Sequence, residues 1–401
     1  MFKRLFRGAT AVALAVAPAV AGACLFAPAA DAALPGAALL TPLLGVPGNI
    51  AAADLSGDGR LDVITPDFGT DLLSIRMNTG GGHFGPVVRY SVGLKPSFVA
   101  VGDFNGDGHP DIAVSNAGSF DVSVLINRGN GTFWPAVQYP VSAPGGLSGG
   151  SFSIQAVDVN HDGRLDLVTS NSLSNDVSVL LGRGDGTFAP ARTYPISGPH
   201  SVGILPFALS AGDLGGDAGP DLVTGGLTSI TVMSNNGNGQ FTPRQSYPVG
   251  FDVACTQLGD FGGGPGPDIV ATGTGTLNAQ VLLNDGHGNF RRGQDLFTGG
   301  IGPQCLSVGQ FTRSGNEDLA IVNSAGFTGR GDVAIFLGRG DGTFAAGETI
   351  PVGFAPWATA IGDFSGNGQS DIVVANTFPP SFTLLLGRGN GTFVTAGTFG
   401  M

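Results

Sequence analysis

The sequence predicts an all-β chain folded as a seven-bladed β-propeller of four-stranded antiparallel blades. Three observations carry this. Material for long amphipathic helices is scarce: Gly is 69 and Pro 26 of 401 residues, and charged residues make up only 12%. Val, Ile, Thr and Phe come in short runs broken by Gly, Asn and Asp, the pattern of many short strands joined by tight turns. An Asp-rich segment also recurs seven times, at intervals of about fifty residues.

The copies begin at Asp54, Asp103, Asp158, Asp213, Asp260, Gln310 and Asp363. Each has the same internal order, shown by the second. A first strand, Ser97–Gly102, leads into the Asp-rich loop. A second strand, Asp111–Ser115, and a third, Asp121–Asn127, follow. A Gly-rich turn ending in Phe133 then leads to a fourth strand, Ala136–Val141. The turn recurs with its Phe at positions 84, 133, 188, 241, 290, 344 and 393. Gly with Asn or Asp supplies the positive φ angles of tight hairpins, and the Phe is expected to pack between blades. Four strands per repeat at this period is the pattern of a propeller blade. A solenoid would need polar capping repeats, and neither end of the repeat array shows one. Two segments match an outer strand, Leu39–Val46 and Val394–Gly400, and the first is expected to pair with the last blade and lock the ring.

The loop pattern is D-x-[NSD]-x-[DN]-G-x-x-D. Oxygen side chains stand at positions one, three, five and nine, and Gly at six allows the sharp turn that aims them at one centre. Several hard oxygens in a nine-residue loop suit calcium; zinc would want His or Cys. Four loops carry a complete set: Asp54, Ser56, Asp58 and Asp62; Asp103, Asn105, Asp107 and Asp111; Asp158, Asn160, Asp162 and Asp166; Asp363, Ser365, Asn367 and Asp371. Ca2+ is therefore expected in blades one, two, three and seven. The fourth loop keeps Asp213, Asp217 and Asp221, but Gly215 offers no side chain and Ala218 replaces the turn Gly. The fifth has Gly262, Gly264 and Pro265, and the sixth begins with Gln310, so neither is expected to hold the ion. Ordinary Asx turns, with each Asp capping backbone amides, are the competing explanation, and four complete copies in register weigh against it.

The Gly-Asp-Phe-Asn-Gly-Asp-Gly stretch at 102–108 and Gly-Asp-Gly-Thr-Phe at 184–188 and 340–344 resemble the FG-GAP/VCBS repeat, the blade unit of integrin α-chain propellers and of many secreted bacterial proteins. The resemblance covers residues 39–400. It implies calcium in the Asp-rich loops on one face of the disc and ligand binding by loops of the opposite face. The fifth and sixth loops depart from the family pattern.

Lys3, Arg4 and Arg7 precede an Ala/Val-rich run from Ala9 to Phe26, and Ala30-Asp31-Ala32 suits signal-peptidase cleavage before Ala33. Residues 1–32 are thus expected to be a removed signal peptide and 33–401 the propeller, placed in the periplasm, at the cell surface or outside the cell. Cys24, after Ala21-Gly22-Ala23, offers a lipoprotein anchor as a second route, though the usual Leu is missing. No later segment is apolar and long enough to span a bilayer. Cys255 and Cys305 each lie five residues before position one of their repeat. They occupy equivalent places on neighbouring blades, which leaves open a disulfide or two small buried thiols.

A formal net charge of −12 excludes a nucleic-acid partner, which needs a basic surface. The longer connections Pro140–Ser151, Ser197–Pro206 and Asn323–Asp332, with Phe378–Phe382, fall by strand order on the face away from the calcium loops, where binding is expected. Trp357 is expected to pack near the central channel. No Ser or Cys signature accompanies His200, the one histidine outside the Asp-rich loops and Gly-rich turns, and calcium accounts for the clustered carboxylates. Arg-Gly-Asp occurs at 183–185, 330–332 and 339–341, twice inside the repeating turn, where the fold already explains it. The expected function is a monomeric, non-enzymatic binding or adhesion module for a protein or glycan; a secreted polysaccharide lyase or hydrolase using the loop face is the alternative.

Overall fold

The computed structural model describes residues 48–141, 151–196, 206–215, 219–262, 264–325 and 329–401. All regular elements among them are β-strands. The first sheet holds β1 (Ala51–Ala53), β2 (Asp62–Asp67), β3 (Leu72–Gly80) and β4 (His83–Ser91). The second holds β5 (Pro96–Gly102), β6 (Asp111–Asn116), β7 (Asp121–Leu125) and β8 (Val137–Pro140). β9 (Ser151–Val157), β10 (Asp166–Asn171), β11 (Asp176–Leu180) and β12 (Arg192–Pro195) form the third. The fourth contains β13 (Ala208–Gly212), β14 (Asp221–Gly225), β15 (Ser229–Asn235) and β16 (Phe241–Pro248). The fifth contains β17 (Asp252–Gly259), β18 (Asp268–Thr274), β19 (Asn278–Asn284) and β20 (Phe290–Phe297). The last is seven-stranded: β21 (Pro303–Gly309), β22 (Asp318–Asn323), β23 (Arg330–Gly338), β24 (Phe344–Gly362), β25 (Asp371–Phe378), β26 (Ser381–Gly387) and β27 (Phe393–Gly400). Its width comes from β24, which pairs with β23 up to Phe354 and with β25 from Phe354 onward.

All pairings are antiparallel between strands consecutive in sequence, which places the Asp-rich loops and the Gly-rich turns at one end of every sheet and the remaining connections at the other. Second strands read as continuous buried runs: β2, β6, β10 and β22 are buried at every position. A strand covered on both faces needs apolar residues on both, whereas β4, at a sheet edge, mixes exposed and half-buried positions. The buried side chains form seven clusters, each shared by neighbouring repeats. In one, Ile50 and Val63 of the first repeat pack with Val373, Phe382 and Leu384 of the last.

The turn phenylalanines sit in these interfaces as expected. Each meets an aromatic ring of the preceding repeat edge-on: Phe133 on Tyr90 (5.4 Å between centroids), Phe188 on Tyr139 (5.5 Å), Phe241 on Tyr194 (5.9 Å), Phe290 on Tyr247 (5.5 Å), Phe344 on Phe261 (5.2 Å) and Phe393 on Phe311 (5.1 Å). Phe84 of the first repeat completes the series on Phe382 of the last, at 5.0 Å. Trp357 packs half-buried against the cluster of the first and last repeats. One expectation is corrected: of the two phenylalanines in Phe378–Phe382 only Phe378 is exposed, because Phe382 stacks on Phe399 in the core. The proposed locking strand Leu39–Val46, the signal peptide with Cys24, and residues 142–150, 197–205 with His200, and 326–328 of the long connections lie outside the described residues.

At the end away from the Asp loops, a buried Asn ties the hairpin between second and third strands. Asn116 Nδ2 donates to Asp121 Oδ1 (2.7 Å) and Ser123 Oγ (2.9 Å), and Asn171 donates likewise to Asp176 (2.6 Å) and Ser178 (2.7 Å). The first repeat has Asp67 in this place. Its Oδ2 accepts from Ser74 Oγ at 2.5 Å, while its Oδ1 is buried without a partner. Burial pushes its pKa up to about 6, outweighing the Ser74 hydrogen bond and the Arg89 charge. A carboxyl whose folded pKa is raised stabilises the fold below its ordinary pKa and loses that contribution as pH rises through about 6. Asp67→Asn is therefore expected to raise unfolding free energy by about 1–2 kcal/mol near pH 8 and by almost nothing near pH 4. Urea unfolding at the two pH values measures this, and an equal effect at both would contradict it.

Candidate metal centres

The Asp-rich loops wrap around their own first carboxylate. Asp54 Oδ1 accepts from the amides of Gly57 (2.8 Å) and Asp58 (3.1 Å), and Oδ2 from Gly59 (2.7 Å). Asp103 does the same with Gly106, Asp107 and Gly108, and Asp363 with Gly366, Asn367 and Gly368. Asp158 accepts from Asp162 and Gly163. The wrap needs left-handed backbone at positions four and six: φ is 75° at Gly57 and 83° at Gly59. In the third loop His161 takes that conformation at position four, with φ 58°. Positions three and five join across the loop: Asn105 Nδ2 donates to Asp107 Oδ2 (2.9 Å) and Asn160 Nδ2 to Asp162 Oδ2 (3.0 Å). Asp58 and Asp162 also meet the exposed guanidinium groups of Arg60 and Arg164.

Position nine has a different task. Asp62, Asp111, Asp166, Asp221, Asp268, Asp318 and Asp371 are all buried. One oxygen of each accepts the backbone amide at the end of the third strand: Asn78 (2.8 Å), Asn127 (2.7 Å), Gly182 (2.7 Å), Asn235 (3.0 Å), Asn284 (2.8 Å), Gly338 (2.8 Å) and Gly387 (2.8 Å). In six repeats the other oxygen accepts from the loop itself, at Leu55, Phe104, Val159, Phe261, Phe311 and Ser365. Asp268 and Asp318 make both bonds in loops whose earlier positions depart from the complete oxygen pattern, so this role does not depend on an ion.

The same region joins each repeat to the one before it through the carbonyl of position two. Asn127 Nδ2 donates to Leu55 O (2.8 Å), Asn235 Nδ2 to Val159 O (2.8 Å) and Asn284 Nδ2 to Leu214 O (3.0 Å). Where the donor position is Gly, a turn amide replaces the side chain: Gly186 N to Phe104 O (2.9 Å), Gly342 N to Phe261 O and Gly391 N to Phe311 O (both 2.8 Å). Asn78 Nδ2 to Phe364 O (2.8 Å) links the first repeat to the last. The turn backbone approaches closest in the fifth loop, where a Cβ on Gly262 would lie 2.1 Å from Gly340 O. Contact with the next turn thus explains why position three there has no oxygen side chain.

The residues at positions one, three and five fit a hard cation by their chemistry. Burial, with the neighbouring loop carboxylates adding to it, pushes Asp62, Asp111 and Asp166 up to about 6, so these loops favour a positive charge. Ser56 Oγ is buried without a partner. In this geometry, however, the carboxylates turn to backbone amides, and among the described residues no group of three His, Cys, Asp or Glu is drawn together to hold an ion. Asp217 and Ala218 of the fourth loop lie outside the described residues. The three Arg-Gly-Asp aspartates are engaged locally: Asp185 and Asp341 by Thr187 and Thr343, and Asp332 by Asn323.

Asp268 separates the structural role from any ionic one. Asp268→Asn sets an amide donor against the Phe261 or Asn284 N–H, at an expected cost of about 2–3 kcal/mol in urea unfolding, equal in EDTA and in calcium. Unchanged stability would refute the role assigned to position nine.

The FG-GAP-like repeat family matches residues 54–114, 103–169, 158–224 and 311–374. No curated protein matches the chain by sequence. Among solved structures, BBS1N in complex with ARL6DN is similar at 12% identity and a TM-score of 0.61, covering 86% of this chain and 94% of that one. A lectin of Agrocybe aegerita, solved for its recognition of non-reducing terminal N-acetylglucosamine, is 21% identical with a TM-score of 0.54, covering 87% of this chain and 93% of that one. The periplasmic gluconolactonase PpgL of Pseudomonas aeruginosa is 18% identical with a TM-score of 0.53, covering 78% and 86%. At these identities the likeness speaks to the propeller fold alone. The family matches span more than half of the chain and coincide with the buried aspartates and inter-repeat bonds described above, and the protein belongs to the FG-GAP-like repeat family.

Proposed function

We propose that the chain is an exported, seven-bladed propeller acting as a non-enzymatic binding module, with a protein partner seated on the face away from the Asp-rich loops. Support for seven blades comes from β24. It turns at Ala355, whose φ is 44°, eight residues before position one of its repeat. Lys95 and Gly302 stand at the equivalent position, also with positive φ, where separate sheets meet. Dividing β24 there makes the last sheet two four-stranded blades. The axial cavity agrees: Ile50, Val99, Ile154, Leu209, Thr256, Leu306 and Thr359, one from each repeat at the same position, all line it.

The binding face is supported by where apolar side chains are left in water. Among the described residues, seven of the eleven exposed large apolar side chains, Leu94, Leu173, Leu277, Phe297, Ile301, Phe354 and Phe378, lie on connections or strand ends away from the Asp loops; Val88, Trp134, Val137 and Val394 are exposed elsewhere. Phe297 (63% exposed) and Ile301 (67%) stand furthest out, and Phe354 is paired in register with Phe378 under the guanidinium of Arg330. Apolar side chains gathered on one face of a rigid scaffold fit a protein surface better than a sugar. Calcium in loops one, two, three and seven, held by the oxygens of positions one, three and five, would stiffen the opposite face with an affinity of about 10⁻⁴ to 10⁻³ M.

Two outcomes are expected. Millimolar calcium raises the melting temperature by about 4 °C over EDTA. Asp103→Asn with Asp107→Asn removes part of that rise, Asp260→Asn in the fifth loop removes none, and no rise at all would refute the calcium assignment. In cell fractionation, Phe297→Glu with Ile301→Glu releases the chain from its envelope or extracellular partner by about tenfold or more, while Trp134→Glu on the other face does not. Retention unaffected by the pair, or binding to a glycan array that survives it, would refute the protein-docking face.

A further inference from the structure

Cys255 and Cys305 are free thiols in this structure, both buried. They lie on β17 and β21, the innermost strands of two neighbouring sheets that share no hydrogen-bonded ladder. Each stands five residues before position one of its repeat, a position that Asn49, Phe98, Ser153 and Ala208 occupy in other repeats. Residues of this position line one axial cavity of about 180 Å³, and the two thiols are the adjacent pair in its wall. Both side chains pack into one buried cluster, on strands that lie directly against each other. Two thiols on facing strands, with a cavity before them and, among the described residues, no third metal-binding side chain drawn to them, are arranged for covalent linkage.

We infer that Cys255 and Cys305 are a cross-linking site: met by a small-molecule disulfide, they form a disulfide bond that ties the fifth repeat to the sixth at the wall of the axial cavity. Oxidised glutathione serves as the oxidant. The Cys255 thiolate attacks one glutathione sulfur, and the first glutathione leaves as its thiol. The Cys305 thiolate then attacks Cys255 Sγ and expels the second. Two thiol protons pass to the two glutathione thiols, the protein loses two electrons, and the glutathione disulfide gains them. Cys255 and Cys305 are equally buried, and the same steps begun at Cys305 give the same product. The inference stands on the thiol geometry; the export proposal bears only on where the oxidant is met.

The test uses the full chain, reduced, then incubated with oxidised glutathione, quenched by alkylation and mapped by peptide mass. The expected result is a 255–305 cross-linked peptide free of glutathione, and a melting temperature about 5 °C higher than in the reduced chain. Cys305→Ser is expected to trap a glutathione adduct on Cys255. Separate glutathione adducts on both cysteines of the wild-type chain, or both recovered as free thiols, would overturn the inference. Mapping assigns Cys24 separately, so its modification does not enter the result.

Discussion

A carboxylate buried under each Asp-rich loop, with its oxygens given to backbone amides, is the constraint on which the other contacts rest. It joins the start of the loop to the end of the third strand, so the loop and the Gly-rich turn occupy one place. That placement presents the position-two carbonyl to the turn of the next repeat and sets the turn Phe against the preceding aromatic ring. Breaking the carboxylate's bonds would leave two buried amides unpaired, a loss of several kcal/mol in a chain whose net stability is only of order 10 kcal/mol. Because each repeat uses the contact on its neighbour, and Asn78 uses it on Phe364 of the last repeat, the series has no free end.

The repeat made most of the fold legible in the sequence. The Asp and Phe registers located loops and turns, and the strand order put the Asp loops and the later connections at opposite ends. What the pattern could not show was which carboxylate does which work. Positions five and nine read alike in the first three loops, as two aspartates in a metal motif. Only burial separates Asp58, out in the loop, from Asp62, enclosed and capped by Leu55 and Asn78. A signal existed: Asp268 and Asp318 persist at position nine in loops that have lost other parts of the pattern. The Asn or Gly at the end of the third strand was also readable, but its partner lies about fifty or more residues away, or at the other end of the chain, and no local rule connects Asn78 to Phe364. The aromatic surface expected at Phe378–Phe382 failed for a related reason. Phe382 points inward on β26, and alternation along a strand decides exposure more than composition does.

The two faces divide the labour. One is polar and acidic, built from loops whose geometry is fixed by their own hydrogen bonds, and it is the face an ion would stiffen. The other carries the connections that vary between repeats and most of the large apolar side chains left in water. A rigid ring makes such a division useful, since connections can change on one face without disturbing the contacts that close the ring on the other.

Hydrogen–deuterium exchange on the intact chain tests the closed ring most directly. If the repeats form one ring tied through Asn78 and Phe364, the amides of Leu55 and Asn78 in the first repeat exchange as slowly as those of Phe261 and Asn284 in the fifth, through one global opening. Protection that declines from the middle repeats toward the first and last would mean an open array with fraying ends, and would contradict the account.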